Sequence, residues 1–334
     1  METATTPSSM NTTTERYVVF KTAPVMRNII FTIGGVGLVG NVFVVIVILS
    51  GTKMRKQLTN TYIINQSVMD TLVSLFLILT TVFEDDSSKF NTFLDEMFCK
   101  FWLTKMWLWS AIVSSTYNLL ALTMERYLAV VYPIWHKTKL NKIGVASSVI
   151  VVWLIGPVYN MAYLLPTSGI TDDGHCATLT FWPNEKWQKV YGISAIFVQF
   201  MGPLFLLIFF YTRMFIVLRR NIMNDRTSGS RSQIVQRRVV DTMGNARKNI
   251  LKTLAIVAFC FAFCWSWNQT YFLMFNLGSE LVDFTSPFYN FTVVMVFLNC
   301  CLNPFIYIAK YEEFQKTMKS LICKNKVGVF SVQF

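Results

Sequence analysis

Long apolar stretches alternate with short polar segments seven times along the chain. A helix of about 20 mostly apolar residues is long enough to cross the hydrocarbon core of a bilayer. The pattern therefore predicts an all-α membrane protein, a seven-transmembrane helix bundle. The predicted spans cover residues 28–50, 60–83, 98–131, 144–165, 188–218, 248–275 and 287–310.

The segments outside the bundle have a different pattern. Residues 1–27 are polar and rich in Thr and Ser, without the apolar core of a cleavable signal peptide, and predict an N-terminal tail. The bundle itself is expected over 28–310. Residues 311–334 space apolar residues among lysines, which predicts a short cytoplasmic amphipathic eighth helix on the membrane surface and a short tail.

Charge indicates the orientation of this bundle. Only 14% of the residues are charged, whereas soluble domains carry about 25%. Eight of the 30 Lys and Arg residues fall on the side of the N-terminus and 22 on the other side. Because basic loops stay in the cytoplasm, we predict a multi-pass plasma-membrane protein with an extracellular N-terminus. The net charge of +12 collects at the inner ends of the spans, so membrane lipid rather than nucleic acid is the expected partner.

One carboxylate falls inside an apolar span. Asp70 lies within the second predicted span, where an acid costs about 2.5–3.5 kcal/mol on insertion scales and marks a function or a buried partner. The candidate partners are polar residues of other spans, namely Asn41, Ser115, Asn299 and Asn303. An ion channel or transporter would also use such an acid, but a lone acid without a second relay acid argues against that class.

The sequence does not indicate an enzyme. His136 and His175 fall on opposite sides of the predicted membrane, so they cannot share a metal site or a catalytic dyad. There is no Gly-rich phosphate loop and no pair of cysteines at zinc spacing outside a span. We therefore predict no catalysis and no resident cofactor. On the outer tail, Asn11 begins an Asn-Thr-Thr acceptor for N-glycosylation.

Each predicted span carries a landmark. They are, in order, Gly40-Asn41-Val42, Asp70, Glu125-Arg126-Tyr127, Trp153, Pro203 with Tyr211, Phe261 with Cys264-Trp265, and Asn303-Pro304-Phe305-Ile306-Tyr307. In this order, over about residues 28–322, the set resembles the rhodopsin-like (class A) G-protein-coupled receptors. The resemblance implies a receptor that passes an extracellular signal to a heterotrimeric G protein, with arrestin and kinases as further partners.

The resemblance also implies roles for single residues. Arg126 rearranges on activation, and Pro304 frees a helix carbonyl and makes a joint beside Asn303. The implied coupling residues are Glu125, Arg126, Tyr127, Thr116, Pro203, Tyr211, Phe261, Asn303, Pro304 and Tyr307. Asp70, Ser115, Asn299 and Asn303 are similar to the family's allosteric sodium site. The alternative is a hydrated polar cluster without an ion.

The expected ligand follows from a few positions of the resemblance. Leu108 stands where amine receptors of the family carry aspartate, and Val296 where light receptors carry lysine. The second outer loop is similar to that of the galanin, allatostatin-A and kisspeptin receptor group, which favours a neuropeptide-like peptide; a small chemosensory ligand is the alternative. By helical facing, the predicted pocket contains Met106, Trp109, Ile112, Trp265, Gln269, Phe272 and Tyr289.

Cysteines supply two further expectations. Cys99 and Cys176 resemble the family's outer disulfide. Cys99 lies two residues further from Arg126 than is usual in the family, which predicts an irregular start of the third span. Cys323, after the amphipathic stretch, is a candidate for palmitoylation.

The sixth span departs from the family pattern. Trp267 stands where the family usually has a proline, so the helix is expected to be straighter unless Ser266 or a water molecule opens it. Arg247 and Lys248 stand where some relatives have an acid that faces the arginine of the third span. Without that ion pair, either basal signalling is measurable or other contacts hold the resting state.

Overall fold

The structure is a computed structural model that describes residues 24–83, 90, 92–227, 234–279, 281–283 and 286–330, with the side chains of 221–248 and 324–330 left aside. Its helices are α1 Pro24–Ser50, α2 Thr52–Arg55, α3 Leu58–Val82, α4 Phe93–Phe98, α5 Met106–Val131, α6 Pro133–Lys139, α7 Lys142–Leu164, α8 Glu185–Ile196, α9 Gly202–Thr227, α10 Ile234–Asn276, α11 Pro287–Lys310 and α12 Glu312–Phe330. Asn11, the predicted glycosylation acceptor, lies outside the described residues.

Six helices of the described chain are long and apolar enough to cross a membrane. They are Pro24–Ser50, Leu58–Val82, Lys142–Leu164, Glu185–Arg220, Asn249–Asn276 and Pro287–Lys310. The remaining long helix, α5, packs against α3, α7 and α9 at the centre of the bundle. It is less apolar because it buries polar residues such as Ser115, Asn118 and Thr123 against those neighbours instead of facing lipid. The seven long helices together form the predicted bundle.

The start of the third span is irregular, as its spacing predicts. A π-helical turn, Cys99–Leu103, follows α4. Lys105 then adopts the left-handed conformation, with φ 57° and ψ 33°, and α5 begins at Met106. The π turn and the left-handed residue take up the extra chain length between Cys99 and Arg126.

A short hairpin covers this end of the bundle. Strand β1, Gly169–Ile170, pairs antiparallel with β2, Cys176–Ala177. Gly174, with φ 83°, allows the tight turn between them. Cys176 is joined to Cys99 by a disulfide with 5.6 Å between the Cα atoms. We call this the disulfide end, and the opposite end of α5 the Arg126 end.

Helices α8 and α9 run on through a π-helical turn, Phe197–Met201, just before Pro203. Helix α10 continues through Trp267 to Asn276 without interruption. The hydroxyl of Ser266 donates to the carbonyl of Phe263 at 3.0 Å. The Trp267 ring contacts Phe263 and Phe291, with centroids 6.0 and 5.6 Å apart, so this residue joins α10 to α11 where a proline would interrupt the helix.

α7 approaches α5 more closely than an ordinary side chain would allow. A Cβ at Gly156 would lie 2.1 Å from the carbonyl oxygen of Ser110 and 2.4 Å from the hydroxyl of Ser114. Glycine is therefore required at this crossing.

α12 packs onto the Arg126 end of the bundle. The ring of Phe314 is fully buried, with its centroid 6.3 Å from that of Phe43 and 6.5 Å from that of Tyr307. Tyr311, between α11 and α12, donates its hydroxyl to Asn60 at 2.9 Å. The buried Phe314 ring and several hydrogen bonds thus fix the amphipathic segment to the bundle, among them the bond from Gln57 to Glu313 at 2.9 Å.

Candidate functional site

The Asp70 carboxylate is a junction of three helices. Its side chain is 0% exposed. Ser115 of α5 donates to Oδ1 at 2.7 Å, and Asn303 of α11 donates to Oδ2 at 2.8 Å. Two of the four partners named from the sequence therefore contact the carboxylate directly. A buried acid with such partners is stabilised only while these helices stay together.

Asn41 and Asn299 are placed differently. Asn41, expected as a partner of Asp70, donates instead to the carbonyl oxygens of Gly37 at 2.9 Å and Cys300 at 3.0 Å. Pro304 has no N–H to offer the carbonyl four residues before it, so the Cys300 oxygen is free to accept from Asn41. The described contacts show no hydrogen bond from Asn299 to Asp70, but Asn299 lines the cavity beside it.

Gln66 contacts the carboxylate and was missed in the sequence. Its Nε2 lies 3.3 Å from Oδ1 and 3.4 Å from Oδ2 of Asp70, and it also donates to the hydroxyl of Ser115. Residues four apart share one face of a helix. The spacing of Gln66 and Asp70 was therefore a usable signal.

A chain of hydrogen bonds leads from this site to α7. The indole N–H of Trp153 donates to Asn65 at 2.8 Å. Asn65 donates to Asn118 at 2.8 Å, and Asn118 donates to Gln66 at 2.8 Å. This amide chain, Trp153–Asn65–Asn118–Gln66, ends at Asp70 and joins α7, α3 and α5 in one polar network.

A cavity of about 10 Å³, close to the room that one water molecule needs, is lined by the three residues that bond to the carboxylate, Gln66, Ser115 and Asn303. Its polar lining residues are Gln66, Ser115, Thr116, Asn299 and Asn303. Carboxylate, hydroxyl and amide oxygens are the ligands that hard cations prefer. The cavity as it stands suits a single water molecule, and a cation that contacts the Asp70 carboxylate needs a rearrangement of the lining side chains.

The coupling residues at the Arg126 end form a closed cluster. The Glu125 carboxylate is 2% exposed and accepts hydrogen bonds from Arg126, from Thr59 at 3.1 Å and from His136 at 2.7 Å. His136 was not singled out from the sequence for this role. It reaches Glu125 because Pro133 starts the short helix α6 directly after α5.

Two of the three tyrosines of the predicted coupling set have buried hydroxyls without a hydrogen-bond partner. These are Tyr211 of α9 and Tyr307 of α11. Leaving a buried hydroxyl unpaired costs about 1–3 kcal/mol, so a water molecule or a change of helix position that pairs them is favoured. Tyr127, in contrast, packs against Phe210 with 5.0 Å between the ring centroids.

An aromatic column connects the middle of the bundle to Pro203. The rings of Trp265 and Phe261 have centroids 5.7 Å apart, and those of Phe261 and Phe200 are 6.0 Å apart. Thr116 donates to the carbonyl of Ile112 at 3.2 Å and stays within its own helix. Phe200 belongs to the π turn before Pro203 and was not predicted as a site residue.

Five of the seven predicted pocket residues fall into two groups. Ile112, Trp109 and Trp265 belong to the central core, with the Trp109 ring 6.5 Å from that of Phe297. Met106 and Phe272 belong to a second cluster at the disulfide end. Gln269 is buried, and the Tyr289 ring lies 5.5 Å from that of Tyr271.

The second cluster is rich in aromatic rings that the sequence had not indicated. Trp182 lies 6.2 Å from Tyr163 and 5.5 Å from Tyr191, measured between ring centroids. The indole N–H of Trp182 donates to the carbonyl of Leu179 at 2.7 Å. The loop after β2 thus places a tryptophan against a tyrosine of α7 and a tyrosine of α8.

Among the other predicted sites, Cys323 is exposed on α12, where a lipid chain can be attached. Arg247 and Lys248 lie on α10, and their side chains fall outside the described part of the structure.

Known proteins match this chain over most of its length. The family described as "7 transmembrane receptor (rhodopsin family)" matches residues 40–307. The chain is 27% identical to somatostatin receptor type 2 of Mus musculus over 96% of this chain and 83% of that protein. It is 24% identical to galanin receptor 2a of Danio rerio over 90% and 79%, and 25% identical to the substance-P receptor of Aquarana catesbeiana over 84% and 66%.

Proposed function

The chain belongs to the rhodopsin family of seven-transmembrane receptors, and on that premise we propose that it binds a peptide at the disulfide end and activates a heterotrimeric G protein at the Arg126 end. The observation that carries the proposal is the column of rings that runs from Trp265 through Phe261 to Phe200. It joins the predicted pocket to the π turn before Pro203.

A peptide is favoured over a small molecule by two features. Relatives of the chain are named as receptors for somatostatin, galanin and substance P. In addition, Trp182, Tyr163 and Tyr191 form an aromatic wall near the end of the bundle, and aromatic side chains are frequent anchors in protein–peptide interfaces. Leu108 is buried and supplies no counter-ion for an amine.

Orientation and modification complete the proposal. The receptor lies in the plasma membrane, with its N-terminus outside the cell and its Arg126 end in the cytoplasm. The distribution of the basic residues supports this orientation. Asn11 carries a glycan and Cys323 a palmitoyl chain that fixes α12 to the membrane. Kinases and arrestin act on the cytoplasmic face after activation.

A sodium ion is the proposed allosteric ligand of the polar core. Asp70 would supply the charge, and Ser115, Asn299 and Asn303 the neutral oxygen atoms beside the cavity. A bound cation compensates the buried negative charge. The residues themselves hold α3, α5 and α11 in the resting arrangement through the bonds from Ser115 and Asn303 to the carboxylate.

Activation then follows from the geometry of the resting state. A ligand that contacts Trp265 more favourably in another rotamer or helix position shifts the population toward that state, because only differential affinity moves an equilibrium. The movement passes along α10 from Trp265 to Phe261, and from there to Phe200 in the π turn before α9. Arg126 leaves Glu125, and the unpaired hydroxyls of Tyr211 and Tyr307 gain partners as the helices rearrange.

The proposal predicts that Arg126→Ala abolishes basal G-protein activation in transfected cells, because the cation that contacts the G protein is lost. The measurement is nucleotide exchange across G-protein subtypes, normalised to surface expression. Lys186→Ala removes a positive charge at the opposite end and should leave basal exchange unchanged. Retention of the wild-type signal in Arg126→Ala would contradict the proposed coupling site.

A second prediction concerns the contact between His136 and Glu125. His136→Phe removes the 2.7 Å contact to the carboxylate while keeping a ring of similar size. The resting state is then less stable, so we expect basal G-protein activation to rise severalfold in the same exchange assay. His175→Phe, at the disulfide end, is the matched control. Equal basal activity of His136→Phe and wild type would show that α6 does not stabilise the resting state.

A further inference from the structure

Gln66 lies where a cation bound to Asp70 would lie. Its Nε2 is 3.3 and 3.4 Å from the two carboxylate oxygens and donates to the hydroxyl of Ser115. A cation held by this carboxylate and this hydroxyl would use the same three oxygen atoms. We propose that Gln66 is a built-in competitor for the cation site and sets its affinity for sodium to a low value.

Asp70 has no acceptor site left for a cation while Gln66 is in place. A carboxylate has about four lone-pair positions. Oδ1 accepts from Ser115, Oδ2 accepts from Asn303, and one N–H of Gln66 is shared between Oδ1 and Oδ2 while its second N–H points to Ser115. Ser115 and Asn303 can turn an oxygen toward a cation, but the amide N–H₂ group of Gln66 carries partial positive charge and repels it. Cation binding therefore requires Gln66 to leave.

The amide chain fixes which end of Gln66 faces Asp70. The indole of Trp153 is a donor only, so Asn65 must turn its oxygen toward Trp153 and its nitrogen toward Asn118. Asn118 then donates to Oε1 of Gln66, which leaves Nε2 to point at the carboxylate. If the Gln66 amide rotated by 180°, its N–H₂ group would face the N–H₂ group of Asn118 and its oxygen would face the Asp70 carboxylate. Both contacts are unfavourable, so this rotation is disfavoured.

The same chain holds Gln66 in position. Asn118 also donates to the carbonyl of Tyr62 at 3.0 Å, so its side chain stays anchored when Gln66 moves. Displacement of Gln66 costs the bond to Asn118 as well as those to Asp70 and Ser115. This inference rests on the proposed sodium site and is independent of G-protein coupling.

The experiment uses the purified full-length receptor in detergent and needs no peptide. Thermal unfolding is followed by a thiol-reactive dye that reports exposure of the buried cysteines, among them Cys264 and Cys300. Sodium chloride is titrated at constant ionic strength against choline chloride. The variants are Gln66→Met, which keeps length without a donor, Asn118→Leu, which frees Gln66, and Asp70→Asn, which removes the charge.

We expect the sodium concentration that gives half of the thermal shift to be at least about tenfold lower in Gln66→Met than in wild type, which corresponds to about 1.4 kcal/mol of cation affinity. Asn118→Leu should shift it in the same direction by less. Asp70→Asn should show no sodium effect. If Gln66→Met does not fold, Asn118→Leu carries the test.

Three outcomes would overturn the inference, and they are distinguishable. If the sodium concentration for half of the thermal shift were equal in wild type, Gln66→Met and Asn118→Leu, Gln66 would not compete with the cation, although the sodium site would stand. A higher half-point in Gln66→Met would make Gln66 a ligand of the cation instead of its competitor. The absence of any sodium effect in wild type, Gln66→Met and Asn118→Leu would remove the sodium site itself. None of these outcomes depends on whether Arg126 couples to a G protein.

Discussion

Gly156→Ala should prevent accumulation of the folded receptor or lower its stability by about 3 kcal/mol or more, at the upper end of the cost of overpacking. The added methyl would lie 2.1 Å from the Ser110 carbonyl and 2.4 Å from the Ser114 hydroxyl. A backbone carbonyl cannot rotate away, so α5 and α7 must separate. Surface expression and the thermal midpoint of the purified protein measure the effect.

Gly35→Ala is the matched control for this substitution. Gly35 lies in α1, another long helix, and a Cβ there meets no atom within 4 Å. Alanine has the higher helix propensity by about 0.5–1 kcal/mol, so Gly35→Ala should leave stability unchanged or slightly raised. If the two variants were equally stable, the close crossing of α5 and α7 would not limit stability.

Cys176→Ser should reduce surface expression of the receptor strongly and abolish responses that need the pocket at the disulfide end. The bond closes a sequence separation of 77 residues, for which the chain-entropy model gives roughly 4.5 kcal/mol. The loss affects local structure above all, because β2 and the π turn Cys99–Leu103 are attached to each other through this bond. Flow cytometry of intact cells and thermal unfolding of the purified protein provide the measurements.

Cys323→Ser is the control that distinguishes the effect of losing the disulfide from the effect of replacing any cysteine. Cys323 is exposed on α12 and forms no disulfide, so its replacement should leave the thermal midpoint of the detergent-purified protein unchanged. A Cys176→Ser receptor with wild-type expression and thermal midpoint would show that the helices alone hold the hairpin in place.

The helices were predictable because a membrane span demands a long apolar run. The predicted seventh span, 287–310, coincides with α11, and the predicted second span differs from α3 by two residues at one end and one at the other. The irregular start of the third span followed from the position of Cys99. Its form, a π turn and a left-handed Lys105, depends on where the disulfide and α5 are fixed in space, which is tertiary information.

The candidate site was predictable in part for a similar reason. Ser115 and Asn303 were found because they are polar residues inside apolar spans. Gln66 has the same property, but the direction of its amide depends on Asn118 and, through it, on Trp153 of another helix. His136 was assigned to a polar loop, and its contact with Glu125 arises from the turn that Pro133 makes after α5.

The segment from Cys99 to Lys105 separates the hairpin at the disulfide end from the regular part of α5. At its start, Cys99 is joined to the hairpin by the disulfide. From Met106 onward, α5 is a regular helix that carries Ser115 and Arg126. Because the π turn and the left-handed Lys105 interrupt the regular helix before Met106, we expect changes of chain length in this segment not to rotate α5. For protein engineering, Lys105 is therefore a natural junction for chimaeras, where the loops of another receptor can be grafted without altering the register of the signalling core.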